Sequence, residues 1–570
     1  MSSKPVLSHV FQSPGFHQSV YVLQARISSS KTNALLRRSA NYQKNIWSAD
    51  FLESLKSDYK ERSCTELVEK LKEIVKDMIT DKTMESSAKL VLIDTLERLG
   101  VGYHFEDEIK AALGLLYVQK EAYIMDNLRS TSLCFRLLRQ HGFKVSQDVF
   151  NNFKDETGNF RLGLCDDVKG ILSLYEASYL GLEDEDILDE AKDFALKHLI
   201  QLDENINPII LAKEVARSLE LPLHWRMPRS ESRYYIEIYG SDEKMNPLLL
   251  EFAKLDFNML QATYQEELTG LSRWWKNLGL SNRLSFARDR LMESYLASVG
   301  VAYKPQYQSC REWLTKFICL VITIDDMYDI YGSLDELELF TAAVQRWDLD
   351  VMALLPDYMK LCFLALFNTT NDIVYAKYKD HNIDILSHLK REWAEFCKAM
   401  LVEARWSKMG YKPSLTEYLE NAWVSSSTSI HLVLAFFATE QTVTNDVLQS
   451  LNKHPRVIYY SSMILRLCND IATSSAELER GDVSSAIQCC MCEMNTSEEI
   501  ARAKIKELIS EMWKKLNKSV YDSPFEDSFI NIVLNNARTA HSIYQHGDGI
   551  GVQHKEAKKR LVELLAKPVT

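Results

Sequence analysis

The sequence predicts an all-α protein built from two helical domains, and three observations support this fold class. Apolar residues recur three and four positions apart along most of the chain after Trp47, for example over residues 67–78 and 88–99, which is the period of an amphipathic helix. The 570 residues include only 19 Gly and 12 Pro, so few points interrupt this pattern. A chain of this length also exceeds what one hydrophobic core usually holds, so we expect two domains.

A domain boundary is predicted between residues 220 and 245, where turn-forming residues interrupt the helical pattern. The interruptions are Leu221-Pro222, Met227-Pro228 and Gly240-Ser241-Asp242. We therefore predict a leader over residues 1–36, an N-terminal α-domain over 37–235 and a C-terminal α-domain over 236–570. The motifs described below lie almost entirely in the second domain.

The N-terminal segment differs in charge from the rest of the chain. Its first 49 residues contain no Asp or Glu, whereas acidic residues outnumber Lys and Arg by 79 to 67 overall. An acid-free, Ser-rich and mildly basic start is typical of an organelle transit segment. This predicts a protein of the plastid stroma, and a disordered leader on a cytoplasmic protein is the alternative.

The overall composition excludes several classes of protein. A net charge of −12 argues against a nucleic-acid binder, whose binding surface is basic. The sequence has no run of about 18 or more apolar residues, so no membrane insertion is expected. Eleven cysteines, scattered and odd in number, favour a reducing compartment.

The first candidate metal motif is Asp325-Asp326-Met327-Tyr328-Asp329, which follows the apolar run 317–324. On a helix, Asp325 and Asp329 lie on the same face. Carboxylates that project from an apolar helix are costly unless a cation compensates them, and oxygen ligands favour Mg²⁺ or Mn²⁺. We predict Asp325, Asp326 and Asp329 as metal ligands, with an ordinary acidic helix end as the alternative.

The second candidate motif runs from Asn469 to Glu477. Asn469, Thr473 and Glu477 recur every four residues, so their oxygen atoms line one helical stripe. Such a stripe suits a hard cation, with room for water and phosphate oxygens. A solvated helix face is the alternative, but apolar residues before the motif favour a partly buried cavity.

Three arginines supply positive charge near these motifs. Arg288 and Arg290 stand in an Arg-Asp-Arg triplet, and Arg466 precedes Asn469 by three residues. All three are predicted to be catalytic, by holding a leaving diphosphate through charge-assisted hydrogen bonds. The predicted substrate contacts are Arg288, Asp325, Asp329, Arg466 and Asn469. Ordinary surface ion pairing of the arginines is the alternative.

Together these motifs resemble those of plant class I terpene synthases. The pair of oxygen-rich motifs is similar to the aspartate-rich and Asn/Ser-Thr-Glu metal motifs of that family, and Arg37-Arg38 followed after eight residues by Trp47 is similar to its tandem-arginine motif. The resemblance covers residues 37–570 and extends to Arg273-Trp274-Trp275 and to the Arg-Asp-Arg triplet. Parts of it point to monoterpene synthases and parts to α-farnesene synthases.

The resemblance implies a function as well as a fold. It implies an inactive N-terminal α-domain and a catalytic C-terminal one, three Mg²⁺ ions with Mn²⁺ as a possible substitute, and a small-molecule prenyl diphosphate as substrate of a monomeric carbon–oxygen lyase. It also implies that Arg37 and Arg38 form a lid, either by closing the site or by pinning the N-terminal segment over the catalytic domain. No D-x-D-D sequence occurs in the N-terminal half, which argues against protonation-initiated cyclisation.

Four residues are predicted to shape the substrate pocket: Ala297, Ile318, Ser425 and Leu465. The run 425–429, four serines and a threonine inside a helical pattern, predicts a local bend. Many members of the family carry Trp where this chain has Ala297, and the loss of an indole removes a π-face for a cyclic cation. Ile318 and Leu465 replace the two Phe residues that narrow the pocket of isoprene synthases.

These substitutions favour an acyclic product. We expect a terpene of the ocimene, myrcene or linalool type from geranyl diphosphate, or α-farnesene from farnesyl diphosphate. A cyclic monoterpene synthase of the limonene or terpineol type is the alternative, and an isoprene synthase is a weaker one. A chain-elongating prenyltransferase is rejected because it would carry a second D-D-x-x-D in place of residues 469–477, and a non-catalytic helical scaffold would show no diphosphate release.

Overall fold

The computed structural model describes residues 37–118, 127–202, 209–439, 443–480 and 485–570. Within these ranges the regular structure is helical, and the single extended pairing is an isolated bridge between Lys154 and Phe160. The prediction of an all-α fold is confirmed. The predicted leader over residues 1–36 lies outside the described residues, as the transit interpretation does.

The N-terminal half is formed by short and medium helices. In the helix Arg62–Thr80, the buried residues Val68, Leu71, Val75 and Ile79 lie three or four positions apart, as the hydrophobic period predicts. The helices of this half are α1 (Ala49–Ser54), α2 (Arg62–Thr80), α3 (Ser86–Arg98), α4 (Glu106–Val118), α5 (Leu128–Gln140), α6 (Val168–Ser178), α7 (Asp186–Ile200), α8 (Ile209–Glu220) and α9 (Pro228–Tyr239).

A long helix, α10 (Pro247–Leu278), follows the predicted boundary. The Asn246 side chain caps it by accepting from the Leu248 N–H, Pro247 occupies its first turn, and it ends at Gly279 in the left-handed region with φ of 70°. These are the residue types expected at helix ends. Because α10 contacts α1, α2 and helices of the C-terminal half, it joins the two halves, and the boundary at residue 235 stays a prediction.

The C-terminal half is a larger helical bundle. Its helices are α11 (Leu280–Arg283), α12 (Leu291–Val301), α13 (Gln308–Asp326), α14 (Leu334–Arg346), α15 (Leu349–Met352), α16 (Asp357–His381), α17 (Leu386–Met409), α18 (Leu415–Ser425), α19 (Thr428–Ala438), α20 (Asn445–Asn452), α21 (Arg456–Arg480), α22 (Ala486–Met494), α23 (Glu498–Tyr521), α24 (Asp527–Tyr544) and α25 (Lys555–Leu565).

The packing of this bundle creates a central space. Helix α13 packs against α12 and α19, and α21 packs against α18, α19 and α24. Helices α12 and α24 also contact each other, so these six helices surround one region. Among the described residues, no helix is both long and apolar enough to cross a membrane.

Candidate active site

A cleft lies between the six helices and opens to solvent; its empty space, with the open solvent at its mouth included, is about 1530 Å³. Its lining contains most of the residues singled out in the sequence: Arg288, Ala297, Ile318, Asp325, Asp329, Ser425, Leu465, Arg466, Asn469, Thr473 and Glu477. Four predicted residues do not line it: Arg37, Arg38, Asp326 and Arg290. The cleft therefore brings both oxygen-rich motifs and two of the three predicted arginines together.

Polar and apolar parts of the lining follow one another along the same helices. On α13, Leu314 and Ile318 come two or three turns before Asp325, and on α21 Leu465 comes one turn before Asn469. Ile322 also lines the cleft, three residues before Asp325. Since a helix rises 1.5 Å per residue, the apolar wall begins roughly 5–6 Å along the helix from the oxygen-rich groups. This arrangement suits a ligand with a polar head and an apolar tail.

The aspartate-rich motif lies where α13 ends. The chain continues from Asp326 into a π-helical turn over Met327–Tyr331, a form of helix that is frequent at functional sites. Asp325 and Asp329 line the cleft, whereas the side chain of Asp326 is fully buried. Burial raises the pKa of Asp326 to about 6, and the guanidinium of Arg288 opposes this rise.

Arg288 lies three residues before the start of α12 and joins this part of the chain to the aspartate-rich motif. Its Nη2 donates to Asp325 Oδ2 at 2.7 Å, its Nε lies 2.8 Å from Asp326 Oδ1, and its backbone N–H donates to Asp326 Oδ2 at 2.7 Å. The ring of Tyr42 lies 4.7 Å from the guanidinium carbon. Burial acts to lower the pKa of Arg288, but the two carboxylates outweigh it and hold the pKa well above its ordinary value.

The second motif occupies the cleft-facing stripe of α21. Asn469, Thr473 and Glu477 all line the cleft, and Thr473 Oγ1 donates to the Asn469 carbonyl at 3.0 Å. Asp470 points away from the stripe, where it accepts from the Tyr418 hydroxyl and the Ala486 N–H, each at 2.8 Å. Asp470 therefore anchors the helices around the motif.

The oxygen donors suit a hard cation whose coordination shell is completed by a bound ligand. Within the described residues, no group of three or more His, Cys, Asp or Glu side chains is arranged to hold a metal alone. The two motifs instead offer two carboxylates on one side and an amide, a hydroxyl and a carboxylate on the other. Such sets fit Mg²⁺ when phosphate oxygens and water supply the remaining positions. A cation held by Asp325 would share this carboxylate with Arg288.

Arg466 is half-buried at the bend in the helical wall. Its Nη2 donates to Ser425 Oγ at 2.7 Å, and its Nε donates to the Ala422 carbonyl at 3.2 Å. Ser425 Oγ in turn donates to a carboxylate oxygen of Glu403. Burial raises the pKa of Glu403, while the positive charge of Arg466 lowers it, so this network is electrostatically coupled.

The bend predicted at the serine run is confirmed. Helix α18 ends at Ser425 and α19 begins at Thr428, with Ser427 at φ of 63° between them. A non-glycine residue in the left-handed region is uncommon and breaks the helical hydrogen-bond pattern. Ser425, Ser426 and Ser427 all line the cleft.

The tandem-arginine segment lies against the mouth of the cleft. Arg37 donates to both carboxylate oxygens of Glu336, at 2.6 and 2.9 Å, and to the Tyr331 carbonyl at 3.0 Å. Glu336 belongs to the capping box that starts α14 just after the aspartate-rich motif. Arg38 Nη1 lies 3.4 Å from the Asp329 carbonyl. These contacts fix the segment to the C-terminal half, and the role of Arg37 and Arg38 as a lid stays a prediction.

Arg290 is placed differently from Arg288. Its guanidinium is buried and donates to backbone carbonyls instead of lining the cleft. The sequence also missed polar residues of the cleft, among them Tyr42, Glu403, Tyr418 and Asp548. Only Asp548 carried a local signal, because it lies in a Gly-rich stretch, 547–551, that marks a turn.

The fold consists of two packed helical halves, and its cleft combines oxygen-donor motifs and arginines with an apolar wall. This combination is typical of metal-dependent enzymes that act on diphosphate esters. Two family models match this chain: the terpene synthase N-terminal domain over residues 46–219, and the terpene synthase family metal-binding domain over residues 276–515. The chain belongs to the terpene synthase family, whose members are lyases acting on prenyl diphosphates.

Similar proteins include monoterpene synthases of other plants. The chain is 50% identical to (-)-alpha-terpineol synthase of Vitis vinifera, over 96% of this chain and 93% of that protein. It is 49% identical to the chloroplastic myrcene synthase of Quercus ilex, over 94% and 90%. Isoprene synthase of grey poplar, solved with three Mg²⁺ ions and dimethylallyl-S-thiolodiphosphate, has a TM-score of 0.86 at 44% identity, covering 92% of this chain and 99% of that one.

Proposed function

We propose that the protein is a Mg²⁺-dependent synthase that converts geranyl diphosphate to diphosphate and a mainly acyclic ten-carbon terpene. The observation that carries the proposal is the cleft, where both oxygen-donor motifs and Arg288 and Arg466 lie above a wall that includes Ala297, Ile318 and Leu465. Farnesyl diphosphate, giving α-farnesene, is the alternative substrate, and Mn²⁺ is the alternative cation.

The residues of the cleft divide the reaction between its two ends. Asp325, Asp329, Asn469, Thr473 and Glu477 would hold the metal ions, which supply Lewis-acid neutralisation of the leaving group when bound. Arg288 and Arg466 would hold diphosphate oxygens. The allylic C–O bond then breaks with its electron pair going to diphosphate, and the apolar wall keeps water from the carbocation until a proton is lost.

The lining of the cleft supports an acyclic outcome. Among the described residues that line it, the aromatic side chains are three tyrosines, Tyr42, Tyr418 and Tyr544, and one histidine, His431. None of the described lining residues is Trp or Phe. A ring-closed cation gains stabilisation from an aromatic face, and Ala297 offers none. The similar proteins include the myrcene synthase, named for an acyclic product, and the terpineol synthase, named for a cyclic one.

A product assay tests this proposal directly. Purified protein is incubated separately with geranyl, farnesyl and dimethylallyl diphosphate and with Mg²⁺ or Mn²⁺, and volatile products and released diphosphate are measured. We expect the highest kcat/KM with geranyl diphosphate and mostly acyclic products. Mostly limonene or terpineol would reject the acyclic proposal, and isoprene as the main product would reject the ten-carbon substrate.

Replacing Ala297 by Trp is expected to shift the products toward cyclic terpenes. A desolvated indole face contributes about 1–2 kcal/mol to a nearby cation, which corresponds to as much as a thirtyfold change in partitioning. The added volume should also reduce turnover of farnesyl diphosphate more than turnover of geranyl diphosphate. Product analysis by gas chromatography, together with kcat/KM for both substrates, measures these effects.

Ala297→Leu is the matched control, because it fills part of the same space without a π-face. We expect it to lower turnover of farnesyl diphosphate while leaving the ratio of cyclic to acyclic products near that of the wild type. If the Leu and Trp variants change this ratio equally, side-chain volume rather than the aromatic face controls ring closure.

A fusion of residues 1–36 to a fluorescent protein is expected to enter plastids. The segment contains no Asp or Glu, and transit segments are poor in acidic residues. Several similar proteins are named chloroplastic. Fluorescence microscopy of transformed leaf cells measures the result, with the fluorescent protein alone as control. A diffuse cytoplasmic signal would contradict the proposed location and would favour farnesyl diphosphate as the substrate.

A further inference from the structure

We infer that Arg290 is a positioning residue that ties together the two chain segments covering the cleft, and thereby sets how well water is kept from the carbocation. The first segment is the N-terminal stretch 42–47, and the second is the C-terminal loop 546–554. The inference rests on the proposed ionisation for its chemical consequence, while its structural part concerns the protein alone.

The hydrogen bonds of Arg290 end on backbone carbonyls of both segments. Its Nη2 donates to the Gln43 carbonyl at 2.8 Å and to the Gly551 carbonyl at 3.1 Å, and its Nε donates to the Ile550 carbonyl at 3.0 Å. Its Nη1 donates to the Asp289 carbonyl at 2.8 Å. These four bonds occupy most of the five N–H groups of a guanidinium, so Arg290 has little capacity left for a diphosphate.

Both tied segments carry residues that line the cleft. Tyr42 is the neighbour of Gln43, and its ring covers the guanidinium of Arg288. Asp548 and Ile550 line the cleft from the C-terminal loop. The carbonyls held by Arg290 thus belong to, or directly adjoin, the residues that close the site.

A second set of contacts joins the same two segments at the start of α12. The side chain of Gln553 accepts from the Ile46 N–H at 3.1 Å and donates to Glu293 Oε1 at 2.6 Å. The Trp47 indole donates to the same Glu293 oxygen at 3.0 Å. Glu293 follows Arg290 by three residues, so one helix start holds both segments through two neighbouring side chains.

The C-terminal loop also lies directly against Arg288. A Cβ atom added at Gly551 would lie 2.0 Å from Asp548 Oδ2 and 3.3 Å from Arg288 Nη1. The clash is with the carboxylate of Asp548, which accepts from the Gly551 N–H at 2.7 Å, so glycine is needed for Asp548 to fold back on its own loop beside Arg288. Movement of the loop would uncover Arg288 and open the mouth of the cleft, which links the bonds of Arg290 to the reaction without contact with the substrate.

A loosened cover changes the fate of the carbocation. In the closed site, the cation loses a proton from carbon to the released diphosphate, and the C–H electron pair forms the new double bond of the olefin. If water enters, its oxygen forms a bond to the cationic carbon, and the released proton goes to diphosphate. The ratio of terpene alcohol to hydrocarbon therefore reports on the cover.

Hydrogen–deuterium exchange of the substrate-free protein tests the structural part. Arg290→Lys keeps the charge but lacks the planar fork that reaches several carbonyls at once. We expect amides in both 42–47 and 546–554 to exchange about tenfold faster than in the wild type. Arg283→Gln is the control, since Arg283 is an exposed arginine on the adjacent α11, and it should change neither segment.

Gly551→Ala provides an independent variant that leaves Arg290 intact. Its added methyl group should displace the loop, so the same segments should exchange faster and the alcohol fraction should rise in both variants. Inhibition by inorganic diphosphate should stay within about twofold of the wild type in Arg290→Lys and weaken strongly in Arg288→Lys.

Two results would overturn the inference. One is unchanged exchange of either segment in Arg290→Lys, and the other is a loss of diphosphate binding as large as that of Arg288→Lys. Because exchange is measured without substrate, a protein that fails to convert geranyl diphosphate would reject the proposed function while the exchange result still decides the role of Arg290.

Discussion

Replacing Asp325 by Ala is expected to lower kcat/KM for the prenyl diphosphate by about a thousandfold or more, because metal-assisted stabilisation of a leaving group contributes on this scale. Asp325 lines the cleft and keeps about a third of its side chain exposed, so its loss should leave the fold intact. Released diphosphate and circular dichroism measure the two effects. The residual activity should show a weaker dependence on Mg²⁺ concentration.

The control for this variant is Asp335→Ala. Asp335 is an exposed carboxylate in the first turn of α14, a few residues beyond the aspartate-rich motif. The Asp335→Ala variant removes the same charge without changing the cleft, so its kcat/KM should stay within about twofold of the wild type. Wild-type activity in Asp325→Ala would remove this residue from the proposed metal site.

The local part of the site was predictable from spacing. Asn469, Thr473 and Glu477 lie on the cleft because residues four apart share one face of an α-helix. Asp325 and Asp329 also both line the cleft, although Asp329 stands in the π-helical turn after α13. This periodicity needs no knowledge of the rest of the chain. The all-α fold follows from the same pattern, since helices are stabilised mainly by packing of their apolar stripes.

Residues that reach the site through tertiary packing were not predictable in this way. Tyr42 and Asp548 come from segments near opposite ends of the chain, and Glu403 comes from α17. Nothing in their local sequence indicates which distant helices they meet. Arg288 and Arg290 look equivalent in the sequence, yet Arg290 stands at the position just before α12 and turns its side chain toward backbone carbonyls.

Asp326 shows how neighbouring residues of one motif take different positions. Asp325 and Asp329 of the same motif face the cleft, whereas the carboxylate of Asp326 is buried against Arg288. A side chain one position away on a helix is rotated by about 100° from the metal-facing stripe. Its proposed part in the site is therefore to hold Arg288 in place.

Replacing Arg466 by Leu is expected to destabilise the protein by about 3–5 kcal/mol and to reduce turnover to the limit of detection. Removal of one partner of a buried ion network leaves the others uncompensated, and both Glu403 and Asp470 are buried beside Arg466. Such a loss is a large share of the stability of a typical domain. Thermal unfolding and diphosphate release measure the two effects.

Arg466→Lys separates catalysis from stability, because it keeps a positive charge but loses the fork that joins the Ala422 carbonyl to Ser425. We expect a folded protein whose kcat/KM falls about a hundredfold. Arg456→Leu is the control, since Arg456 is exposed at the start of the same helix. An active Arg466→Leu enzyme would remove Arg466 from the proposed diphosphate site.

The pH dependence of stability gives an independent check on Arg466. Burial already raises the pKa of Glu403, and Arg466 lowers it, so Arg466→Leu should raise this pKa further. A carboxyl whose pKa is higher in the folded than in the unfolded state stabilises the fold below about pH 4, and this contribution is lost as the pH rises through the folded-state pKa. The unfolding temperature of Arg466→Leu should therefore fall more than that of the wild type or Arg456→Leu as the pH rises above about 4.3, the ordinary pKa of a glutamic acid. Parallel curves for all three proteins would show that Arg466 does not control the ionisation of Glu403.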